Sequence, residues 1–133
     1  MNDPEVAAAA AARARIVLVA EDEILIRAVA AEALRDAGYT VIEASSADEA
    51  ERFVAAGLVP DVLFTDVRMP GTRDGLALAR ELKARLPRLI VLVASGHADP
   101  DTALPHSHKF FRKPYDVDSV LAAIAAALEQ HEP

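Results

Sequence analysis

The chain has 133 residues, with 14 lysines and arginines against 21 aspartates and glutamates, so its formal net charge is −7. This length suits one domain better than two. The absence of cysteine excludes disulfides, thiolate metal sites and cysteine nucleophiles, and the acidic balance argues against a nucleic-acid surface.

The N-terminal segment, residues 1–15, is rich in alanine and includes the run Ala7 to Ala12. It lacks the basic start and the long apolar stretch of a signal peptide, and no later segment is long and apolar enough for a membrane span. We therefore expect an N-terminal extension over residues 1–15, a folded domain over residues 16–130, and a cytoplasmic location.

From residue 16 onward, short apolar runs alternate with amphipathic stretches, a pattern typical of βα units that build a parallel sheet. The runs predict five strands over residues 16–20, 40–44, 62–65, 89–94 and 109–112. Apolar residues at helical spacing predict helices over residues 24–37, from the cap Ser46 to Gly57, over 75–86, and after the cap Asp116. The fold class is therefore α/β.

The segment between the fourth and fifth predicted strands departs from this pattern. Gly96, Pro100 and Pro105 interrupt it, and a proline inside a helix removes a hydrogen bond and clashes with the preceding turn. The sequence predicts that the fourth helix is shortened or missing.

Polar residues interrupt the apolar runs where four of the predicted strands end. They are Glu21-Asp22-Glu23 after the first strand, Asp66 after the third, Ser95 after the fourth and Lys113 after the fifth. Ligands of open parallel sheets bind beyond the carboxyl ends of the strands. We therefore expect these side chains to converge on one site.

Clustered carboxylates repel one another at neutral pH unless a cation or a raised pKa compensates them. Mg²⁺ suits such a cluster because it prefers oxygen ligands and is usually bound by one or two carboxylates together with phosphoryl oxygens. Lys113 would then serve as a point charge for a phosphoryl oxygen, and Ser95 as a hydroxyl donor.

Four segments together resemble the receiver domain of two-component response regulators. They are Val17-Leu18-Val19-Ala20-Glu21-Asp22-Glu23, Asp61-Val62-Leu63-Phe64-Thr65-Asp66-Val67-Arg68-Met69-Pro70-Gly71, Val91-Leu92-Val93-Ala94-Ser95-Gly96 and Phe110-Phe111-Arg112-Lys113-Pro114-Tyr115. The resemblance implies a flavodoxin-like, doubly wound, five-stranded parallel sheet of order 2-1-3-4-5. It also implies that the bond between Lys113 and Pro114 is cis, as in many relatives.

The resemblance also implies a role for each matching residue. Asp66 would accept a phosphoryl group, Ser95 and Lys113 would contact its oxygens, and Ser95 and Phe110 would form the conformational switch. The implied Mg²⁺ ligands are the side chains of Glu21, Asp22 and Asp66 and the backbone carbonyl of Arg68.

The implied function is phosphorelay signalling. The phosphoryl donor would be a histidine kinase or a histidine phosphotransfer protein, and the output would pass to a downstream protein target. Such a chain is a phosphoacceptor and not an enzyme with an external substrate, and we expect a monomer or a weak homodimer. Two alternatives stay open at this stage: a pseudo-receiver interaction module, and a small Mg²⁺-dependent phosphatase with an aspartyl-phosphate intermediate.

Three features depart from the common family pattern. Glu21 stands where aspartate is more usual, Thr72 and Arg73 lengthen the loop before Asp74 and Gly75, and the segment after Ser95 is short. The first two alter the edge of the site, and the third leaves the output surface undefined.

Overall fold

The computed structural model describes residues 15–97 and 107–130. These residues form five strands: β1 (Ile16–Ala20), β2 (Thr40–Ala44), β3 (Val62–Asp66), β4 (Ile90–Ser95) and β5 (Lys109–Arg112). The four described helices are α1 (Ile24–Asp36), α2 (Ala47–Ala55), α3 (Gly75–Arg85) and α4 (Val117–Gln130). The extension proposed for residues 1–15 and the short fourth helix fall almost wholly outside the described residues.

The five strands form one parallel sheet in the order β2-β1-β3-β4-β5, which confirms the predicted fold class and strand order. β3 and β4 each continue further than the sequence predicted, because Asp66 still pairs with Ala94 and Ser95 pairs with Arg112. Two of the polar residues assigned to the strand ends are therefore the last residues of the sheet itself. Ladder pairing fixes their backbone positions.

Alternating residues of the central strands point to opposite faces of the sheet, and each face carries its own core. One core joins the sheet to α1 and α4 and contains Val17, Val19, Phe64, Leu34 and Ile124. The other joins it to α2 and α3 and contains Leu18, Leu63, Val91, Ala50 and Leu82. Burial on both faces explains why these strands are almost continuously apolar.

The predicted helix starts are confirmed by their capping contacts. The Ser46 hydroxyl accepts a hydrogen bond from the Glu49 backbone N–H at 3.0 Å at the start of α2, and the Asp74 carboxylate accepts one from Ala77 N–H at 2.8 Å at the start of α3. Gly38, which follows the end of α1, has a φ of 102°, a conformation that favours glycine.

Helical spacing predicts a buried face of α1 that includes Val29 and Leu34, and this prediction was partly wrong. The structure buries Ala30, Ala31 and Leu34, whereas Val29, assigned to the core, is 58% exposed. Small residues let α1 lie close to the sheet, so its buried stripe is rotated away from Val29. The larger apolar side chains at its N-terminus consequently face solvent.

Candidate functional site

The predicted acidic residues meet at the carboxyl edge of the sheet. Glu21 follows β1, Asp66 ends β3, and Asp22 lies beside Glu21. One carboxylate oxygen from each of the three lies within 4.8 Å of the others, and this is the cluster of potential metal ligands found among the described residues. Glu21 is buried, Asp66 is half-buried and Asp22 is exposed, so the cluster opens to solvent on the Asp22 side.

Lys113 lies among these carboxylates. Its Nζ donates to Glu21 Oε1 at 2.6 Å and lies 3.2 Å from Asp66 Oδ2. The peptide bond to Pro114 is cis, as the resemblance implied, and the Lys113 backbone N–H donates to the Ser95 carbonyl at 3.0 Å. The residue that follows β5 therefore places an ammonium group beside both Glu21 and Asp66.

Burial and the contact between Glu21 and Lys113 have opposite effects on the pKa of each of these two residues. Burial is the largest influence on Glu21, and with the negative charge of Asp66 it outweighs the hydrogen bonds from Lys113 and Glu23, so the pKa of Glu21 lies above its usual value. For Lys113, burial alone would lower the pKa, but the hydrogen bond to Glu21 and the charges of Asp66 and Glu21 outweigh burial and raise it. The lysine is thus held as a cation beside the acids.

The remaining contacts of Asp66 and Glu21 fix the orientation of both side chains. Asp66 Oδ1 accepts from the Val67 backbone N–H at 2.8 Å, and Glu21 Oε2 accepts from the Glu23 N–H at 3.1 Å. The Asp66 backbone carbonyl accepts from the Thr65 hydroxyl at 2.8 Å. Asp66 Oδ2 therefore faces Lys113, while its other oxygen is tied to the loop that follows β3.

Ser95 and Phe110 take the places that the sequence indicated. Ser95 is the buried last residue of β4, and its Oγ accepts from the His97 N–H at 3.1 Å. Phe110 on β5 is half-buried against the α2–α3 core, with the Arg112 guanidinium 5.7 Å from its ring centroid. Its neighbour Phe111 is buried on the opposite face, because successive side chains of a strand point to opposite faces of the sheet.

Arg68, whose carbonyl was predicted as a metal ligand, lies in the loop between β3 and α3 and is exposed. Sequence reasoning missed Arg27 at this site. Its guanidinium donates to the Glu21 backbone carbonyl at 2.8 Å and to Glu43 Oε1 at 3.3 Å. The signal that could have found it is a basic residue one helical turn after the acidic triplet.

Comparison with known proteins identifies the family of this chain. Residues 17–125 match the family model described as the response regulator receiver domain. The chain belongs to the receiver-domain family of response regulators.

Two curated relatives resemble this receiver domain over most of its length. The DNA-binding transcriptional regulator NtrC of Salmonella typhimurium is 36% identical over 121 residues, which are 88% of this chain and 25% of that protein. The transcriptional regulatory protein FixJ of Azorhizobium caulinodans is 36% identical over 116 residues, which are 83% of this chain and 53% of that protein. The chain thus spans a quarter to about a half of these relatives.

A solved structure shows the same fold over nearly its entire length. The response regulator receiver protein from Sinorhizobium medicae superposes with a TM-score of 0.82 at 27% identity, covering 89% of this chain and 97% of that one. Among the described residues of our receiver domain, no helix is long and apolar enough to cross a bilayer.

Proposed function

We propose that this receiver domain accepts a phosphoryl group on Asp66 and thereby relays a signal in a two-component system. The observation that carries the proposal is the placement of Lys113, whose Nζ lies 3.2 Å from Asp66 Oδ2 and 2.6 Å from Glu21 Oε1. A carboxylate with a fixed cation beside it can receive an anionic group, because the ammonium offsets the charge that develops on the phosphoryl oxygens.

The transfer uses a phosphohistidine on a histidine kinase or a histidine phosphotransfer protein. Asp66 Oδ2 attacks the phosphorus atom, the P–N bond breaks, and its electron pair stays on the imidazole nitrogen, which takes a proton. Hydrolysis later returns the site to its starting state: water attacks phosphorus, the P–O bond to Asp66 breaks, and inorganic phosphate leaves. The protein promotes only these changes to its own side chain, so we do not class it as an enzyme.

The donor set of the acidic cluster fits Mg²⁺. Three carboxylates meet within 4.8 Å, and Lys113 is the one cationic side chain that forms an ion pair with them among the described residues. Asp22, Asp66 and the Arg68 carbonyl would hold the ion directly, and Glu21 would hold it directly or through water. Bound there, Mg²⁺ would supply positive charge for the phosphoryl oxygens.

Ser95 and Phe110 carry the proposed conformational response. In the structure the Ser95 hydroxyl oxygen accepts from the His97 N–H at 3.1 Å, and the Ser95 O–H would donate to a phosphoryl oxygen on Asp66. Phe110 is only half-buried, so it has room to turn inward when the end of β4 moves. A downstream protein would detect the altered surface beside β5.

The surface next to the acidic site is suited to the phosphoryl donor. Apolar side chains of α1 are exposed there, with Leu25 78% and Ile24 67% exposed. A groove of 480 Å³ that reaches Lys113 is lined by Leu25, Ile26, Val29, Pro114 and Val117; we call these five residues the α1 patch. An apolar helix face on the donor, with its phosphohistidine at the rim, could cover the patch and place phosphorus at Asp66.

Replacing Leu25 with glutamate tests this surface. Transfer from the donor protein should slow at least about tenfold, as expected when a charge is placed in the apolar centre of an interface, while phosphorylation by a small phosphodonor should be unchanged. Equal slowing with both donors would place the defect in the site and not in docking. The exposed Val59 offers a matched control, and Val59→Glu should leave both rates unchanged.

Intact-mass measurement with a small phosphodonor tests the function itself. The wild type should gain one phosphoryl mass only when Mg²⁺ is present, and Asp66→Ala should fold but gain none. A phosphoryl adduct on Asp66→Ala would refute the acceptor assignment. No adduct on the wild type would favour a pseudo-receiver, whereas repeated turnover of a phosphate ester would favour a phosphatase.

We assign residues 16–130 to the receiver domain and residues 1–15 to an N-terminal extension. The acidic surface and the position of the site support signalling through proteins and not through nucleic acid contacts of this domain. We further propose a cytoplasmic location, where a donor kinase and Mg²⁺ are both accessible, and a monomer or weak homodimer, which sedimentation with and without a phosphoryl mimic would test.

A further inference from the structure

The loop that follows the proposed acceptor is tied to helix α2 through a single carboxylate. Asp48 Oδ2 accepts from the Thr72 backbone N–H at 3.0 Å, and Asp48 Oδ1 accepts from the Thr72 hydroxyl at 2.8 Å and from Arg73 Nε at 3.1 Å. Thr72 and Arg73 are the residues that lengthen this loop relative to the common family pattern. The added residues therefore contact one side chain 24 positions earlier in the chain.

The backbone at Gly71 passes close to the Asp48 carboxylate. A Cβ atom added at Gly71 would lie 2.4 Å from Asp48 Oδ2, so the carboxylate would have to move, and Gly71 has a φ of 119°. This dihedral angle favours glycine. The hydrogen bonds to Thr72 lower the pKa of Asp48 below its usual value, and the nearby charge of Arg73 adds to this effect, so the carboxylate is ionised and can accept all three bonds at neutral pH.

The opposite end of the same loop is fixed directly on the acceptor strand. The Gly75 N–H donates to the Val67 carbonyl at 2.7 Å, and a Cβ atom at Gly75 would lie only 1.7 Å from the Asp66 carbonyl oxygen. Residues 68–70 are thus held between two anchors. One anchor is the base of the loop at Val67 and Gly75, and the other is Asp48.

Ion pairs extend this second anchor across α3. Arg73 also pairs with Glu81, and Arg85 pairs with Glu81 at 3.0 Å and with Glu51 at 2.8 Å. The five residues form an open chain of alternating charge whose two ends, Asp48 and Glu51, both belong to α2. Asp48 contacts the loop, whereas Glu51 ends the chain of ion pairs at Arg85 of α3, which makes Glu51 a natural control.

We propose that Asp48 is a positioning residue for the phosphoacceptor site, and that it holds residues 68–70 so that the Arg68 carbonyl faces the acidic cluster. This inference rests on the proposed function, because it assigns Asp48 an effect on the Mg²⁺ site. Asp48 contacts neither the acceptor nor the metal. It acts through the backbone between Arg68 and Thr72.

Three variants test the inference: Asp48→Ala, Asp48→Asn and Glu51→Ala. Asp48→Ala removes the anchor, Asp48→Asn keeps one oxygen that can accept from Thr72, and Glu51→Ala removes the last ion pair of the chain without touching the loop. The measurements are Mg²⁺ affinity by isothermal titration calorimetry, amide hydrogen exchange in residues 68–73, and the thermal unfolding temperature.

Asp48→Ala should weaken Mg²⁺ binding roughly tenfold, the lower end of the range for groups that orient metal ligands, and should speed exchange at the Thr72 amide. Asp48→Asn should be intermediate in both measurements. Glu51→Ala should leave Mg²⁺ affinity and Thr72 exchange at the wild-type values. A fall of its unfolding temperature to that of Asp48→Ala would still support the inference as long as both of these values are unchanged.

Two results would overturn the inference: Mg²⁺ affinity of Asp48→Ala within twofold of the wild type, or an equal loss in Glu51→Ala. Failure of the proposed function shows itself differently, because the wild type would then bind no Mg²⁺ and accept no phosphoryl group. The inference falls with the proposed function in that case. If the wild type binds Mg²⁺ and is phosphorylated, the variants test the role of Asp48 alone.

Discussion

Removal of the Lys113 charge should show how far this cation offsets the negative charge of the carboxylates at the site. Lys113→Met keeps an aliphatic stem of similar length but deletes the ammonium that contacts Glu21 at 2.6 Å and Asp66 at 3.2 Å. The Glu21 side chain is only 6% exposed, so it would be left as a buried charge whose cationic partner is gone. The variant should therefore be destabilised when no divalent cation is present.

The size of the effect follows from burial. Breaking a buried ion pair by removing one partner costs roughly 3–5 kcal/mol. The Lys113 side chain is 18% exposed, so solvent screens part of the interaction. We therefore expect a cost at the lower end of this range, about 3 kcal/mol. At about 4 °C per kcal/mol for a domain of this size, the unfolding temperature should fall by about 12 °C.

Mg²⁺ should reverse much of this loss. The ammonium and a metal ion both interact with the same carboxylates, so Lys113→Met should bind Mg²⁺ at least as tightly as the wild type, and a ligand that binds only the folded state stabilises it. Phosphorylation by a small phosphodonor should nevertheless slow, because the cation beside the attacking oxygen is absent.

Thermal unfolding in EDTA and in Mg²⁺, together with calorimetric titration, measures both effects. Lys109→Met is the matched control, since Lys109 is an exposed lysine on the same strand and should change neither stability nor Mg²⁺ affinity appreciably. The reasoning fails if Mg²⁺ widens the stability gap between Lys113→Met and the wild type, or if the variant loses Mg²⁺ affinity by about tenfold, as expected of a residue that supports a metal ligand.

Two further substitutions probe the acceptor strand and the acidic pair. Gly75→Ala would place a methyl group 1.7 Å from the Asp66 carbonyl; the required backbone shift should cost about 3 kcal/mol, the upper end for overpacking, and a wild-type unfolding temperature would contradict this. Glu21→Asp shortens the side chain that reaches Lys113 and should cost about 1.5 kcal/mol, the scale of a hydrogen bond to a charged group. Unchanged unfolding in EDTA would show that the 2.6 Å contact of Glu21 with Lys113 is not needed for stability.

Most of the secondary structure could be predicted from the sequence because its signals are local. Continuous apolar runs predicted the buried strands, and Ser46, Asp74 and Gly38 mark helix ends through contacts within a few residues. The acidic cluster was also predictable, since parallel strands bring their carboxyl ends to one edge of the sheet. The order of the strands came from the family resemblance and not from these patterns.

The rotation of α1 could not be predicted in the same way. Helical spacing shows that Val29 and Leu34 belong to an apolar stripe, but the stripe is wider than the surface that the sheet can cover. The structure buries Leu34 and leaves Val29 exposed, because the small residues Ala30 and Ala31 permit the closest approach. Tertiary packing therefore determines which of two neighbouring faces of a helix is buried.

The sequence by itself determined which residues can carry charge at the site, whereas the tertiary structure decided which of them touch. Nothing in the sequence indicates that Lys113 lies closer to Glu21 than to Asp66, or that Asp48 receives the bonds of Thr72 and Arg73. Residue type and spacing influence local structure over only a few positions along the chain. These contacts join residues 24 to 92 positions apart, and only the packing of helices and loops around the sheet brings them together.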